Sequence, residues 1–507
     1  MMNRMARRLA GAAPLTLCLV AGATMAAPAA AAEQAIPAKD GQPSTAAANP
    51  TANDYPVDGM GDGVTSGGYN QSRWAEDWTK LRDPKKRDDP IDRLKFIPIA
   101  GDGDTYLTLS GELRLRVNHV TNPDLRDRRA QRQDINRIVG AADLHIGDHL
   151  RFFGELAHGG LSGVELGTRL PQLKNALVVQ QSFVDVTGDV GSAHLGVRYG
   201  RQTFADGPNL MVVPRDNNTI FTVFNGARVW ARGTKVRADA FDFYTTRLGV
   251  NGTGDDLIDR GRRFSGISAG VVVPRDWFGG SKLFFDPFVW RLRNDAAVWG
   301  TRTLREKRMF YGLHLYGDAG PVNVDYTIQH QGGEFGNQDI SAWLIFAAQS
   351  YRLGKGRTAP RIGFHADYAS GGGSYDGGTL RTSLAPFGNN IYYSYQLYAT
   401  PTNLMALAPN VTFNPIPKLR TTLEYQASWR ATETDAVYRA NGSAFAGTQN
   451  VRGVRKIADT LRAQVVWSFT PRVSFTGRYE HLIAGPSLTR AGFRSSDFLA
   501  GWLSFRF

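Results

Sequence analysis

From about residue 104 to residue 507, apolar and polar positions alternate with a period of two. In 106–118, Leu107, Leu109, Leu113, Leu115 and Val117 alternate with Thr108, Ser110, Glu112, Arg114, Arg116 and Asn118. In 322–331, Val322, Val324, Tyr326 and Ile328 alternate with Asn323, Asp325, Thr327 and Gln329. Segments 418–430 and 472–480 repeat the pattern, with Leu423, Tyr425, Phe475 and Tyr479 on one parity and Glu424, Gln426, Thr476 and Arg478 on the other. Side chains on a strand point alternately to opposite faces, so each strand has one apolar face and one polar face. A soluble sandwich buries the apolar face against a second sheet, with strands of about five or six residues. A transmembrane barrel turns that face to lipid and needs about nine to eleven residues to cross. The runs here are at least nine to thirteen long, and several carry Arg two residues apart on the polar face. The pattern therefore predicts an all-β fold, a membrane-spanning antiparallel up-and-down barrel.

Eighteen strands are predicted, near 104–119, 134–147, 149–158, 177–188, 191–201, 220–232, 234–245, 262–273, 281–293, 306–317, 320–331, 339–353, 358–370, 403–413, 417–430, 455–469, 472–483 and 494–507. Their connections alternate long and short. Gly147-Asp148-His149, Gly317-Asp318-Ala319-Gly320 and Thr470-Pro471 are short, whereas 120–133, 159–176, 202–219, 371–402 and 431–454 are long. Short periplasmic turns and long extracellular loops are the habit of outer-membrane barrels. Strand 281–293 fits least well, because Arg291 and Arg293 share the parity of Leu283, Phe285 and Val289. It requires a bulge or an end outside the bilayer.

Composition then assigns a compartment. Residues 1–32 hold Arg4, Arg7 and Arg8, an apolar run from Leu9 to about Ala27, and a tail ending Ala30-Ala31-Ala32. That order is the one of a cleaved secretory signal peptide. Removing three Arg lowers the net charge from +13 to +10, and the only Cys, Cys18, leaves with them. Disulfides, thiolate metal sites and cysteine nucleophiles are thereby excluded, and export weakens a nucleic-acid reading of the charge. Residues 33–100 read as a periplasmic lead-in, largely disordered by composition, with a short ordered segment near 72–99. There Trp74 and Trp78 are spaced to share a helix face, and Lys85, Lys86 and Arg87 read as a solvated run. Residues 101–507 form the barrel. Its last strand, with Leu499, Gly501, Leu503, Phe505 and Phe507 on one parity, ends on an aromatic residue. It resembles the signature recognised by the barrel-assembly machinery of Gram-negative bacteria.

Parity also assigns a lumen. Its basic groups include Arg114, Arg116, Arg137, Arg151, Arg198, Arg228, Arg237, Arg361, Lys418, Arg420, Arg430, Arg462, Arg472 and Arg478, against acids such as Glu112, Asp143, Glu155, Asp185, Asp239, Glu424 and Glu480. A confined pore focuses potential, so a modest basic excess favours anions. Arg stays charged and grips carboxylate with a planar fork, which suits a polymer with one carboxylate per sugar. Charges of both signs also pair across strands as a structural ladder. Trp230, Phe241 and Tyr316 are candidates for stacking on sugar rings, although aromatic residues more often sit at lipid interfaces.

The sequence resembles the alginate export family of outer-membrane barrels. The stretches that carry the resemblance include DWTKLRD at 77–83, RLKFIPI at 93–99, YLTLSGELRLR at 106–116 and ADLHIGDHLRFFGEL at 142–156. Further on come RYGRQTFADG at 198–207, VPRDNNTIFTVFNGAR at 213–228, DYASGGG at 367–373 and SWRATETDAVY at 428–438. The resemblance implies an eighteen-stranded barrel with an arginine-rich constriction for a linear anionic polysaccharide. Arg201 with Gln202, Arg215, Arg228 and Arg430 fall on its patterned positions. Where the family carries an acidic Glu-Leu-Asp element, this chain reads VRKIADTLRAQ at 454–464.

The expected function is a passive outer-membrane channel for an anionic, alginate-like polysaccharide or oligosaccharide. The alternative is a general or small-anion uptake porin. A remote one is a lipid-modifying outer-membrane enzyme, for which the nine His show no nucleophile-elbow or metal-ligand spacing. The expected partners are the anionic saccharide, outer-membrane lipid and lipopolysaccharide, the barrel-assembly machinery through the strand ending at Phe507, and periplasmic export partners. A monomer, with no cofactor, metal or nucleic acid, is expected.

Overall fold

The computed structural model describes residues 55, 68–100, 103–164, 171–356 and 358–507. The segment expected to be a signal peptide, 1–32, and most of the expected lead-in up to 67 lie outside the described residues. The strands are β1 (Ile97–Ala100), β2 (Thr105–Val120), β3 (Gln131–Ile146), β4 (Leu150–Val164), β5 (Asn175–Val190), β6 (Ala193–Gln202), β7 (Phe224–Arg232), β8 (Val236–Arg247), β9 (Leu257–Val272) and β10 (Lys282–Trp299). They continue with β11 (Arg302–Ala319), β12 (Val322–Phe335), β13 (Gln338–Arg352), β14 (Arg361–Ala369), β15 (Leu404–Ile416), β16 (Leu419–Trp429), β17 (Lys456–Ser468), β18 (Val473–Ala484) and β19 (Ser496–Arg506). From β2 onward each strand pairs antiparallel with the next, and β19 returns to β2, closing a barrel of eighteen strands. All eighteen fall where the period of two places them. Among the described residues no helix is long and apolar enough to cross a membrane.

Closure is sealed where the chain ends meet. Phe505 pairs with Leu113 and Arg506 with Glu112, and Phe507 exchanges both backbone hydrogen bonds with Gly111, at 2.8 and 3.1 Å. Below that point β19 has stopped, and β1 takes its place against β2 by pairing Ile97 with Leu107. An added side chain at Gly111 meets the Phe507 ring at 2.5 Å and the Val139 carbonyl at 2.8 Å. Glycine there lets the last ring lie on the seam.

Burial is inverted relative to a soluble sheet. On β2, Glu112, Arg114 and Arg116 are buried, whereas Leu113, Leu115 and Val117 are 41%, 54% and 44% exposed. The apolar parity faces out and the charged parity faces in, which a sandwich does not allow. The parity extends to Leu423, Tyr425 and Tyr479 outside and to Gln426, Arg478 and Glu480 inside.

Two expectations change. The connections at 300–301 and 336–337, which continue the long set, are tight turns, because β10–β13 run to fourteen residues or more and pair nearly to their tips. The break in register in β10 falls between Asn294 and Ala297, beyond Arg291 and Arg293, so it does not move them off the outward face of Phe285 and Val289. The inner face is also not polar throughout. Phe241, Phe243, Phe264, Phe288, Trp290, Phe310 and Phe346 point inward from β8–β13 and pack with Met211, Val212 and Phe387 of the long connections. Residues 203–223 and 370–403 thus fold into the barrel on an aromatic cushion, with Val212 bridged to Phe387.

Gly111→Val is expected to overpack the seam and cost about 1–3 kcal/mol. Heat-modifiable mobility on gels checks this: the folded band should be lost at a lower temperature than in the wild type.

Candidate functional site: a lumen of paired arginines

Two inserted segments pack against the inner wall, and both are held by charge. Residues 68–96 form short 3-10 turns rather than one helix. Trp74 and Trp78 consequently do not share a face. Trp74 meets Phe183 edge-on in the barrel and donates from Nε1 to Thr203 Oγ1 at 3.1 Å. Trp78 packs on Tyr69 and under the Lys95 ammonium, 4.9 Å from its ring. Burial pushes Lys95 below its ordinary pKa against the pull of Glu76. Of the basic run, Lys85 and Lys86 are solvated, but Arg87 is half-buried and donates to the carbonyls of Leu81 and Phe96. Arg472, at the start of β18, ties the segment to the wall through Tyr69, Asp89 and Asp92.

The deepest link is Arg73. It reaches Glu112 at 2.6 Å and Glu155 at 2.9 Å, all three side chains being buried. Burial opposes its charge, but Glu155 and Glu112 outweigh that and raise its pKa. The same Glu112 accepts from Arg137 at 2.8 Å and forms an ion pair with Arg114 at 3.0 Å. Arg137 and Arg114 in turn grip Asp216, from the 203–223 connection, at 2.6 and 2.9 Å. Arg506 stands 3.8 Å from Glu112. Arg114 and Arg137 are direct cross-strand partners. Like charges so placed repel, and the carboxylates between them offset the repulsion.

A second cluster lines a cavity of about 610 Å³ at the end that carries the short turns. Its walls include Trp74, Arg151, Arg198, Arg228, Trp230 and Arg232. Arg198 binds Asp185 through Nε and Nη2 at 2.7 and 2.8 Å and lies 4.1 Å from the Trp74 ring and 3.7 Å from that of Phe183. Its Nη1 has no hydrogen-bond partner. Arg151 pairs with Asp143 at 2.5 Å, and Arg228 and Arg232 both pair with Asp239, at 2.6 and 2.9 Å. Arg237 lies among Asp206, Asp239 and Asp286. Tyr55, the one described residue between 33 and 67, donates to Asp286 at 3.3 Å. Of the aromatics considered for stacking, Trp230 lines this cavity, Phe241 is in the aromatic cushion, and Tyr316 donates to Asp286 at 3.2 Å.

The remaining arginines are dispersed. Arg116 and Arg478 both donate to Asn217 Oδ1, at 3.2 and 3.0 Å, and both lie 4.9 Å from the Trp502 ring. Arg462 is paired with Glu424. Arg361 and Arg420 stand half-buried, each close after a turn. Arg201 donates to Asn225 Oδ1 and to the carbonyls of Val179 and Asp256. Arg215, at a positive φ of 64°, donates to the Phe387 carbonyl. Arg430 donates to five carbonyls, those of Glu433, Asp435, Thr448, Val451 and Val454. The last two organise the inserted connections, and Lys418 is exposed at a turn. On β12 and β14, Thr327 Oγ1, Gln329 Nε2 and Asp367 Oδ1 are buried without a hydrogen-bond partner, and His365 Nε2 lies 3.6 Å from Glu424.

Parity missed Arg73 and Asp216, which lie outside any strand. Arg308 and Arg506 share the inward parity of their strands and were legible by the rule that found the others. Among the described residues no group of three or more His, Cys, Asp or Glu is placed to hold a metal ion.

A closed barrel with lipid-facing apolar rows and a charged lumen defines an outer-membrane channel. Crystal structures of similar fold include Pseudomonas aeruginosa OccK5 (OpdH), at a TM-score of 0.52 and 13% identity over 82% of this chain and 99% of the other. Acinetobacter baumannii OccAB1 gives 0.52 at 10% identity over 79% and 96%. Pseudomonas aeruginosa OccK9 (OpdG) gives 0.51 at 11% over 79% and 98%. No curated protein matches the chain. The family model described as alginate export matches residues 105–501, and the chain belongs to that family.

Arg73→Ala is expected to weaken the docking of residues 68–96 by about 3 kcal/mol, because it leaves buried carboxylates short of a partner. Two readouts check it: faster proteolysis of that segment in the folded protein, and a higher single-channel conductance.

Proposed function

We propose that the protein passes an anionic saccharide, alginate-like in carrying one carboxylate per ring, by passive diffusion and without a catalytic step. One observation carries this reading: the cavity in which Arg151, Arg198, Arg228 and Arg232 stand between Trp74 and Trp230. A uronate presents a carboxylate for a guanidinium fork and an apolar ring face for an indole. The Arg198 Nη1, buried and without a hydrogen-bond partner, is a donor the wall leaves unused. The fixed carboxylates Asp143, Asp185 and Asp239 hold the guanidiniums in place and moderate the field. A linear polyanion then meets a series of weak sites rather than one deep trap, as conduction requires. The short-turn end faces the periplasm in this reading, following the habit of outer-membrane barrels, so the cavity is the periplasmic mouth.

The same pairing favours a second reading, a general small-anion porin, because paired guanidiniums give little net charge. One experiment separates the two. In planar bilayers the wild type should show an anion-favouring reversal potential and a block by oligouronate. Arg198→Gln with Trp230→Ala should weaken that block by about tenfold, the loss of one charge-assisted contact and one stack. Equal block by neutral and acidic oligosaccharides favours the general porin. Cation selectivity overturns both.

A further inference from the structure

The outer wall has one place where cations interrupt the lipid-facing rows. On β10, Phe285, Pro287 and Val289 face outward, and Arg291 and Arg293 follow on the same face. Register sets Arg293 directly between Arg263 of β9 and Lys307 of β11. Three cations side by side on adjacent strands repel. All three are compensated: Arg263 by Asp242, Arg293 by Asp295 at 2.9 Å, and Lys307 by Glu334 at 2.5 Å. Arg291 is not. It is exposed, stands beside Ser265 and Met309, and its side chain has no hydrogen bond, ion pair or ring contact among the described residues. A small cavity of about 130 Å³ is lined by Arg263, Ser265, Arg291 and Arg293.

A second observation lies below this cavity. The outer face carries a shallow apolar depression of about 1250 Å³, reached by Ile267, Val289, Leu313, Ile328 and Trp343. Ile267 is two residues from Ser265, and Val289 is two from Arg291, so the depression continues up the same outward rows into the arginine cavity. Hydrocarbon below and unneutralised guanidinium above match one kind of molecule, an acyl chain ending in a phosphate.

We propose that this strip is a binding site for a phosphorylated glycolipid of the outer leaflet, of the lipid A class. Its phosphate is held by Arg291 and Arg293, and an acyl chain lies over Ile267 and Val289. A phosphate takes two guanidinium forks as readily as a carboxylate takes one. Arg291 and Arg293 lie past the middle of β10, on the side of the barrel end that carries the long connections, so the proposal rests on the barrel orientation given above, but not on the lumen substrate.

The test uses the full-length mature barrel, purified in detergent and incubated with bisphosphorylated lipid A or with the same lipid after dephosphorylation. Retained lipid is counted by native mass spectrometry. The wild type should retain the phosphorylated lipid, and Arg291→Ala with Arg293→Ala should retain about tenfold less. Heat-modifiability and reversal potential should stay unchanged, since both residues lie outside the lumen and the seam. Equal retention of the dephosphorylated lipid, or equal retention by the variant, overturns the site and leaves interfacial anchors only. Displacement of the lipid by millimolar inorganic phosphate would also overturn it, marking a small-anion site. A cation-selective wild type with intact lipid retention would sink the channel reading and leave this one standing.

Discussion

A sheet in lipid has no solvent for an unpaired edge, and each bare peptide group there costs several kcal/mol. Everything else in this molecule depends on closing that edge. The closure falls between β19 and β2, where the last residue trades both its backbone bonds with Gly111. Because the strands are staggered, β2 extends beyond β19, and β1 covers the remainder. The ordered lead-in is therefore part of the closure as well as an insert. It completes the pairing at the one place where the tilt of the strands would leave β2 bare.

Closure fixes parity, and parity fixes chemistry. Once Leu113, Leu115 and Val117 face lipid, Glu112, Arg114 and Arg116 have nowhere to go but inward. Charges confined there must meet partners, since a bare buried ion is costly. The molecule meets this need by bringing carboxylates from the walls and from the inserted segments. Its lumen is therefore a network of fixed ions of both signs. On the β8–β13 side the inward positions are aromatic instead, and they give the long connections a surface on which to pack.

The strands were legible because the period of two persists over nine residues or more, long enough to beat local noise. Most of the lumen arginines were legible for the same reason, as inward positions on readable strands. Three things were not. The tall hairpins of β10–β13 carry charge beyond the apolar band, so Arg302 and Arg305 read as loop although they lie in β11. The aromatic cushion was hidden because Phe288 and Trp290 face inward on a strand whose outward face is also apolar. Arg73 and Asp216 sit in stretches without period, and only the folded chain brings them to Glu112. Arg430 lies in a family-patterned motif, and the structure gives it five carbonyls of one connection. A patterned residue can thus mark the shape of a loop as well as a contact with solute.

The Glu112 cluster has a consequence for the electrical state of the lumen. Four guanidiniums, of Arg73, Arg114, Arg137 and Arg506, face three carboxylates, of Glu112, Glu155 and Asp216. The wall supplies the majority of both. The lead-in contributes one positive member and the 203–223 connection one negative member. Withdrawing the lead-in would leave the cluster neutral, whereas withdrawing the connection would leave two positive charges in excess. The two inserts are counterweights of opposite sign on a common fulcrum, and the local potential beside Glu112 depends on both being in place.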